Sequence, residues 1–90
     1  MAIFKVYDLF VMSALDQTIV VGTVSEGTVS KGMIMTLNNK EWRIEGVEHV
    51  DGRLNDTWMA QIGLIIAGTD QNWITATNAL IDEGLEVTVL

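Results

Sequence analysis

The side chains best suited to chemistry in this chain occupy positions 48–51. His49 is the single histidine, and histidine is the residue whose ordinary pKa lies near neutrality. Glu48 precedes it and Asp51 follows, so one hypothesis is a catalytic histidine–carboxylate pair. Adjacent residues of a regular strand point to opposite faces, so Glu48 and His49 would not share a site, and no nucleophile is marked nearby. The pattern favours a surface histidine, and we predict that the protein is not an enzyme.

The sequence offers no recognisable set of metal ligands. One histidine, no cysteine and carboxylates scattered along the chain do not provide the ligand spacing of a zinc or calcium site. We therefore predict neither a metal nor a cofactor.

Most segments of the chain, including the one that carries Glu48 and His49, have patterns typical of β-strands. Apolar and polar residues alternate over 41–45, and Gly46, where the alternation breaks, predicts a bulge or corner. Asn38 and Asn39 predict a tight turn because Asn tolerates left-handed backbone. We predict strands at 3–12, 18–24, 29–37, 41–50, 58–68 and 85–90, a polar loop at 51–56, and a helix of one to three turns within 69–83 that begins at Thr69 or Asp70.

Three glycines, Gly22, Gly27 and Gly32, fall five residues apart in a run rich in β-branched residues, and we predict all three as structural turn glycines. Gly27 can adopt a positive φ without steric cost, so the run predicts a tight β-hairpin in which the strand restarts at Val29, with a third strand opening at Gly32. Residues 1–90 are thus predicted to form one all-β domain, a small closed antiparallel β-barrel of about six strands with a short helical segment before the last strand.

The same glycine spacing resembles that of the translation-factor β-barrel family, the second domain of elongation factor Tu and its relatives. Segments 6–10, 45–48, 62–68 and 80–87 also look like that family's strands and closing turn, in the right order, with residues 72–78 as an insertion. The resemblance covers most of the chain and implies a barrel that stands alone. The chain has no Gly-x-x-x-x-Gly-Lys-Ser/Thr loop and so lacks a GTPase domain.

In that family the barrel helps to hold the aminoacylated 3′ end of tRNA, with a glycine–arginine pair before the Thr-Val-Val strand and a glutamate on a later strand. Glu48 matches the glutamate, whereas Asp16 stands at the place of the pair. A lost charge-assisted contact costs about 1.5–3 kcal/mol, and a like charge facing an anionic ligand costs more. The resemblance therefore implies the fold more strongly than the tRNA role.

The chain is acidic, with 5 Lys and Arg against 12 Asp and Glu and a formal net charge of −7. This balance repels phosphate backbones, so direct nucleic-acid binding is disfavoured and a basic protein partner is favoured. Apolar runs are much shorter than the roughly 20 residues of a membrane span. No secretion signal is visible. We expect a cytoplasmic protein without membrane contact. The basic residues are dispersed at Lys5, Lys31, Lys40, Arg43 and Arg53.

The three tryptophans suggest where a partner would bind, since tryptophan is enriched at binding hot spots. Trp42 is predicted in the core or at the barrel end, and at least one of Trp58 and Trp73 is predicted to be partly exposed. With Met59 and Ile74 these two would form an apolar patch for a partner or a second copy. On this hypothesis, replacing Trp73 with Ala weakens association without unfolding the barrel.

These observations predict a non-enzymatic protein-binding module or adaptor. Two alternatives remain open. One is a translation accessory that contacts the ribosome or a tRNA end, as the family resemblance implies. The other is an acidic inhibitor or immunity protein that blocks a basic enzyme by charge complementarity. A homo-oligomer is also left open, because an edge between the first and last strands could pair with another copy.

Overall fold

A computed structural model describes the backbone of residues 1–54, 57–81 and 85–90, and the side chains of residues 1–49, 61–81 and 85–90. The strands form a closed barrel in the order β1-β2-β5-β4-β3-β6, with every neighbouring pair antiparallel. This confirms the predicted fold class. In chain order the elements are β1 (Ala2–Met12), a 3-10 turn (Ser13–Leu15), β2 (Gln17–Glu26), β3 (Ile34–Leu37), β4 (Lys40–Leu54), β5 (Thr57–Ala67), α1 (Gln71–Ile81) and β6 (Leu85–Val89).

Inward-pointing side chains fill the barrel. Alternate residues of β1, namely Ala2, Phe4 and Val6, are buried. A register shift between Val6 and Asp8 then changes the phase of the strand, so that Leu9 is buried as well. The described part of the interior is thus a packed core, as expected for so small a barrel. The other strands contribute Val20, Met35, Leu37, Ile44, Leu64, Ile66, Val87 and Val89 to this core.

The predicted hairpin between β2 and a following strand is wrong. Strand β2 ends at Glu26, β3 begins only at Ile34, and the two do not pair. Gly27 adopts the expected positive φ of 75°. A turn closed by a hydrogen bond from the Met33 amide to the Ser30 carbonyl, 3.2 Å, then leads the chain to the far side of the barrel. Glycines signal such a turn, but the strand to which the chain returns is decided by long-range pairing.

The strands differ in length, and this shapes the two ends of the barrel. The short strand β6 pairs with β1 only over Ala2–Val6. The predicted open edge between the first and last strands is therefore wrong over that stretch. Strand β4 pairs with β3 only over Lys40–Arg43 but continues beside β5 to Leu54. Residues 51–54, predicted as part of a polar loop, belong to β4 instead, and the rest of that predicted loop, 55–56, lies outside the described residues.

Two local predictions around β4 are confirmed. Asn38 and Asn39 adopt φ values of 51° and 62° and form the two-residue turn between β3 and β4. Left-handed values at both positions match the right-handed twist of the flanking strands. The register of β4 against β5 shifts between Ile44 and Gly46, which is the bulge that the break in alternation predicted.

Helix α1 begins where the sequence predicted it. The Asp70 carboxylate accepts a hydrogen bond from the Trp73 amide, 3.1 Å, and so caps the first turn. Within the described residues, no helix has the length and apolarity needed to cross a membrane. The face of α1 that carries Trp73, Ile74, Thr77 and Ile81 is buried, and its three apolar members join the barrel core.

Gly22 is a strand residue and not a turn residue, contrary to the sequence prediction. It lies within β2 opposite Val6. A Cβ built on Gly22 would lie 1.9 Å from the carbonyl oxygen of Lys5 and 3.0 Å from a ring carbon of Phe4. Glycine is needed here because the backbone of β1 passes too close for any side chain. Gly32, with φ 95°, is a turn glycine as predicted.

Candidate functional site

Two of the four residues predicted to form a partner surface, Trp73 and Ile74, are buried. Trp73 is 9% exposed and Ile74 3% exposed, so both belong to the core and the prediction that they line a surface patch is wrong. The reason is that α1 turns this face inward, and the Trp73 ring packs against Trp42 with ring centroids 4.8 Å apart. Trp42 is partly buried at the core, as predicted. The side chains of Trp58 and Met59 lie outside the described residues.

Glu48 and His49 are exposed and do not form a site together. Glu48 lies opposite Gly63 and His49 opposite Ile62 in the β4–β5 pairing. Neighbours on one strand face opposite sides of the sheet, so the two side chains diverge. The side chain of Asp51 lies outside the described residues. Within the described part of the chain, no three His, Cys, Asp or Glu side chains are grouped closely enough to hold a metal ion.

Asp16 stands where the family resemblance places the glycine–arginine pair, and in the structure it joins two segments of the chain. It adopts a left-handed φ of 50° after the 3-10 turn. Its carbonyl accepts a hydrogen bond from the Gly68 amide, 2.7 Å, and its carboxylate accepts one from the Thr69 hydroxyl, 3.0 Å. The Thr18 hydroxyl also donates to the Gly68 carbonyl, 2.8 Å. Asp16 therefore ties the start of β2 to the connection between β5 and α1.

An apolar patch lies on the outer face of the barrel. Phe10, Ile19, Ile65 and Gly46 are successive cross-strand neighbours on β1, β2, β5 and β4. Directly paired residues share a face of the sheet. Because the adjacent row contains the buried Thr18, Ile66 and Ile44, this row faces outward.

Within that row Phe10 is 52% exposed, and Ile19 and Ile65 are partly buried. Met12, 39% exposed, follows two positions after Phe10 on the same face of β1. We call Phe10, Met12, Ile19 and Ile65 the outer patch.

Carboxylates flank one side of the outer patch. In the next row on the same face, Asp8 on β1 and Glu48 on β4 stand at the two ends, and the buried Val21 and Gly63 lie between them. Both carboxylates belong to exposed residues. Among the residues with described side chains, neither forms an ion pair. The patch therefore combines exposed apolar surface with negative charge that the described residues leave unneutralised.

Lys40 and Asp70 form the ion pair in the described part of the structure, and it lies at the start of α1. The Lys40 ammonium is 3.6 Å from the Asp70 carboxylate and 4.7 Å from the centre of the Trp42 ring. The hydrogen bond from the Trp73 amide, and then Lys40, lower the pKa of Asp70, whereas its partial desolvation opposes the shift. This cluster links the start of α1 to β4.

The sequence reasoning missed the outer patch, although a signal for it was present. The segments Leu9–Val11, Ile19–Val21 and Leu64–Ile66 are apolar at consecutive positions. A strand with one solvated face should alternate apolar and polar residues. An uninterrupted apolar run therefore indicates that both faces of the strand are covered, in the fold or by a partner. The three runs become one surface only once β1, β2 and β5 are known to be neighbours.

Comparison of the chain with protein-family models, with curated proteins and with solved structures found no match in any of the three. The resemblance to the translation-factor barrel therefore stays a prediction. The site must be interpreted from its own chemistry.

Proposed function

We propose that this barrel is a non-enzymatic protein-binding module and that the outer patch receives a basic protein partner. The observation that carries the proposal is the position of Phe10, half exposed on the outer face, in a row with Ile19 and Ile65 and beside Asp8 and Glu48. Exposed apolar surface with a polar border is typical of protein interaction sites.

The energetic contributions of the two features differ. Burying an exposed side chain such as that of Phe10 contributes about 1.5–3 kcal/mol. The carboxylates of Asp8 and Glu48 contribute mainly to the rate of encounter and to the choice of partner, because surface ion pairs add little affinity. A partner should therefore carry an apolar side chain that covers Phe10 and lysine or arginine residues that reach the two carboxylates.

The charge of the chain supports a basic partner over a nucleic acid. With a formal net charge of −7, the barrel repels phosphates. On the carboxylate side, Lys5 of β1 stands opposite Thr23, beyond the Asp8–Val21 pair. The capture experiment described next also tests the two alternatives, a translation accessory and an inhibitor of a basic enzyme. The first would be captured through RNA, and the second would be captured as one basic enzyme.

The proposal is tested by capture followed by measurement on purified components. The immobilised protein is exposed to native lysate with and without ribonuclease, retained proteins are identified by mass spectrometry, and the Kd of each purified candidate is measured. We expect a basic protein that resists ribonuclease and whose Kd rises about tenfold or more for Phe10→Ser. Charge reversal at Glu48 (E48K) should slow association, most strongly at low salt.

Matched control variants distinguish specific binding at the outer patch from nonspecific association. Leu80 on α1 is 48% exposed, so Leu80→Ser removes a similarly exposed apolar side chain away from the patch. Glu41→Lys reverses an exposed charge elsewhere on β4. The proposal is wrong if retention disappears with ribonuclease, or if the controls weaken binding as much as Phe10→Ser and E48K do.

A further inference from the structure

One edge of strand β4 has no partner strand among the residues that the structure describes. Its pairing with β3 ends at Arg43, and the backbone of Ile44 then exchanges hydrogen bonds with the loop before β3, from Gly32 at 2.8 Å and to Met33 at 2.9 Å. From Gly46 to Leu54, β4 pairs with β5 on one side. Among the residues that the structure describes, none pairs with this stretch on the other side.

The free stretch is long enough to hold a peptide. It spans positions 46–54, and alternate residues of a strand direct their amide and carbonyl groups to the same side. About four residues should therefore offer hydrogen bonds outward. Extended peptides bind other proteins in this way, by adding a strand to an exposed sheet edge.

We infer that the edge of β4 from Gly46 to Leu54 binds an extended segment of the basic partner by strand addition. The inference rests on the proposed function, because it names the form in which that partner binds. Gly46 ends the row of the outer patch, and Glu48 flanks it. A segment paired with β4 therefore lies next to the patch, and one partner can cover both.

Charge selects a basic segment over a second copy of this chain. Glu48 is exposed on the described part of the edge and Glu45 is exposed just before it, and neither forms an ion pair with a described residue. Pairing β4 with β4 of another copy would bring together two molecules that each carry a net charge of −7. Like charges placed opposite one another on paired strands are destabilising.

Edge protection is also weak in this stretch. Proteins commonly guard exposed edges with lysine, proline or inward-pointing charges. Positions 46–54 contain no lysine and no proline, and of the charged residues that can also guard an edge they contain Glu48, Asp51 and Arg53. The register shift between Ile44 and Gly46 lies before the free stretch and not within it. An edge left this open in an acidic protein is suited to a basic strand.

The test uses the full chain, labelled with nitrogen-15, and a synthetic peptide of four Lys-Val repeats. Two control peptides keep the same length. One carries N-methyl groups on alternate residues, which removes backbone donors from one edge, and the other replaces lysine with glutamate. We expect the Lys-Val peptide to slow hydrogen exchange at alternate amides within 46–54. We also expect the N-methylated peptide to bind at least about tenfold more weakly, because several hydrogen bonds are lost.

Two results overturn the inference and are distinguishable from failure of the proposed function. One is that millimolar Lys-Val peptide leaves the hydrogen exchange of the amides of 46–54 unchanged. The other is a captured basic partner that protects β1, β2 and β5 but leaves the amides of 46–54 exchanging as in the free protein, in which case the outer patch alone is the binding site. The control variant Leu80→Ser on α1 should leave the exchange pattern with the peptide unchanged.

Discussion

The indole rings of Trp42 on β4 and Trp73 on α1 lie with their centroids 4.8 Å apart and their planes tilted by 57°. This contact holds the helix on the barrel. Both indole nitrogens are buried, and neither has a hydrogen-bond partner among the described residues. Each buried donor without a partner costs about 1–3 kcal/mol, which reduces the net gain from packing the two rings.

Replacing Trp73 with Ala should unfold or strongly destabilise the protein, by about 3–5 kcal/mol, because it leaves a cavity between α1 and the barrel. Urea denaturation followed by circular dichroism measures the loss. Trp73→Phe should cost less, since it keeps a ring and removes an unsatisfied donor. Leu80→Ala on the exposed side of α1 is the control and should change stability little. Unchanged stability of Trp73→Ala would restore the surface role that the sequence predicted.

Gly22→Ala should prevent normal pairing of β1 with β2, because the added Cβ would meet the Lys5 carbonyl oxygen at 1.9 Å. Gly32→Ala is the matched control. Its Cβ would meet nothing within 4 Å, and its only strain comes from a φ of 95°, at a cost of about 1–2 kcal/mol. Thermal unfolding of both variants gives the comparison. Equal losses of stability would mean that the close approach at Gly22 is relieved by movement of β1.

Protonation of Asp70 should lower the free energy of unfolding in acid. Its pKa is lower in the folded protein than the usual aspartate value, chiefly because the Trp73 amide donates to the carboxylate. Its stabilising contribution is therefore complete above the ordinary pKa of about 3.9 and is lost as the pH falls through the lower folded-state value. Asp70→Asn keeps a capping oxygen without the titration, so it should reduce the dependence on acid while retaining most of the helix cap.

The contrast with Asp70→Ala completes that test. The alanine variant loses both the cap and the charge, so it should be less stable than Asp70→Asn at neutral pH. Urea midpoints measured between pH 2.5 and 7, a range of about four units around the ordinary aspartate pKa, give the curves. A wild-type curve parallel to that of Asp70→Asn throughout would show that Asp70 does not contribute to the pH dependence.

The hydrogen bond between Asn38 and Thr77 should couple the β3–β4 turn to α1. The Asn38 amide group donates to the fully buried Thr77 hydroxyl at 3.1 Å. Thr77→Val keeps the shape and should cost about 1 kcal/mol. Asn38→Gly keeps the left-handed backbone, φ 51° in this protein, without the donor. A double-mutant cycle with these two variants measures the coupling, and additive effects would show that the bond contributes nothing.

Much of the local structure could be predicted from the sequence because short-range chemistry decides it. Asn38 and Asn39 tolerate left-handed backbone, Gly46 interrupts an alternating strand, and Asp70 caps the helix that follows it. Each of these features depends on neighbouring residues, and each is present where it was expected. The number of strands and the helix before β6 follow from the same local patterns.

The candidate site could not be predicted in the same way. Trp73 and Ile74 have the composition of a binding surface, but the docking of α1 directs them inward. Phe10, Ile19 and Ile65 are far apart in sequence and become one patch because β1, β2 and β5 are neighbours. The side chains of Trp58 and Met59 lie outside the described residues, so the role predicted for them stays a prediction.

The sequence by itself therefore determined the class of fold, the turns, the helix start and the acidic charge, because backbone preferences and ionisable groups act over a few residues. Only the tertiary structure decided that β2 pairs with β5 instead of β3, that Gly22 marks a close approach of two strands, and which apolar side chains are left outside. Those outcomes depend on which strands become neighbours and on where the helix docks, and both are set by packing across the whole barrel.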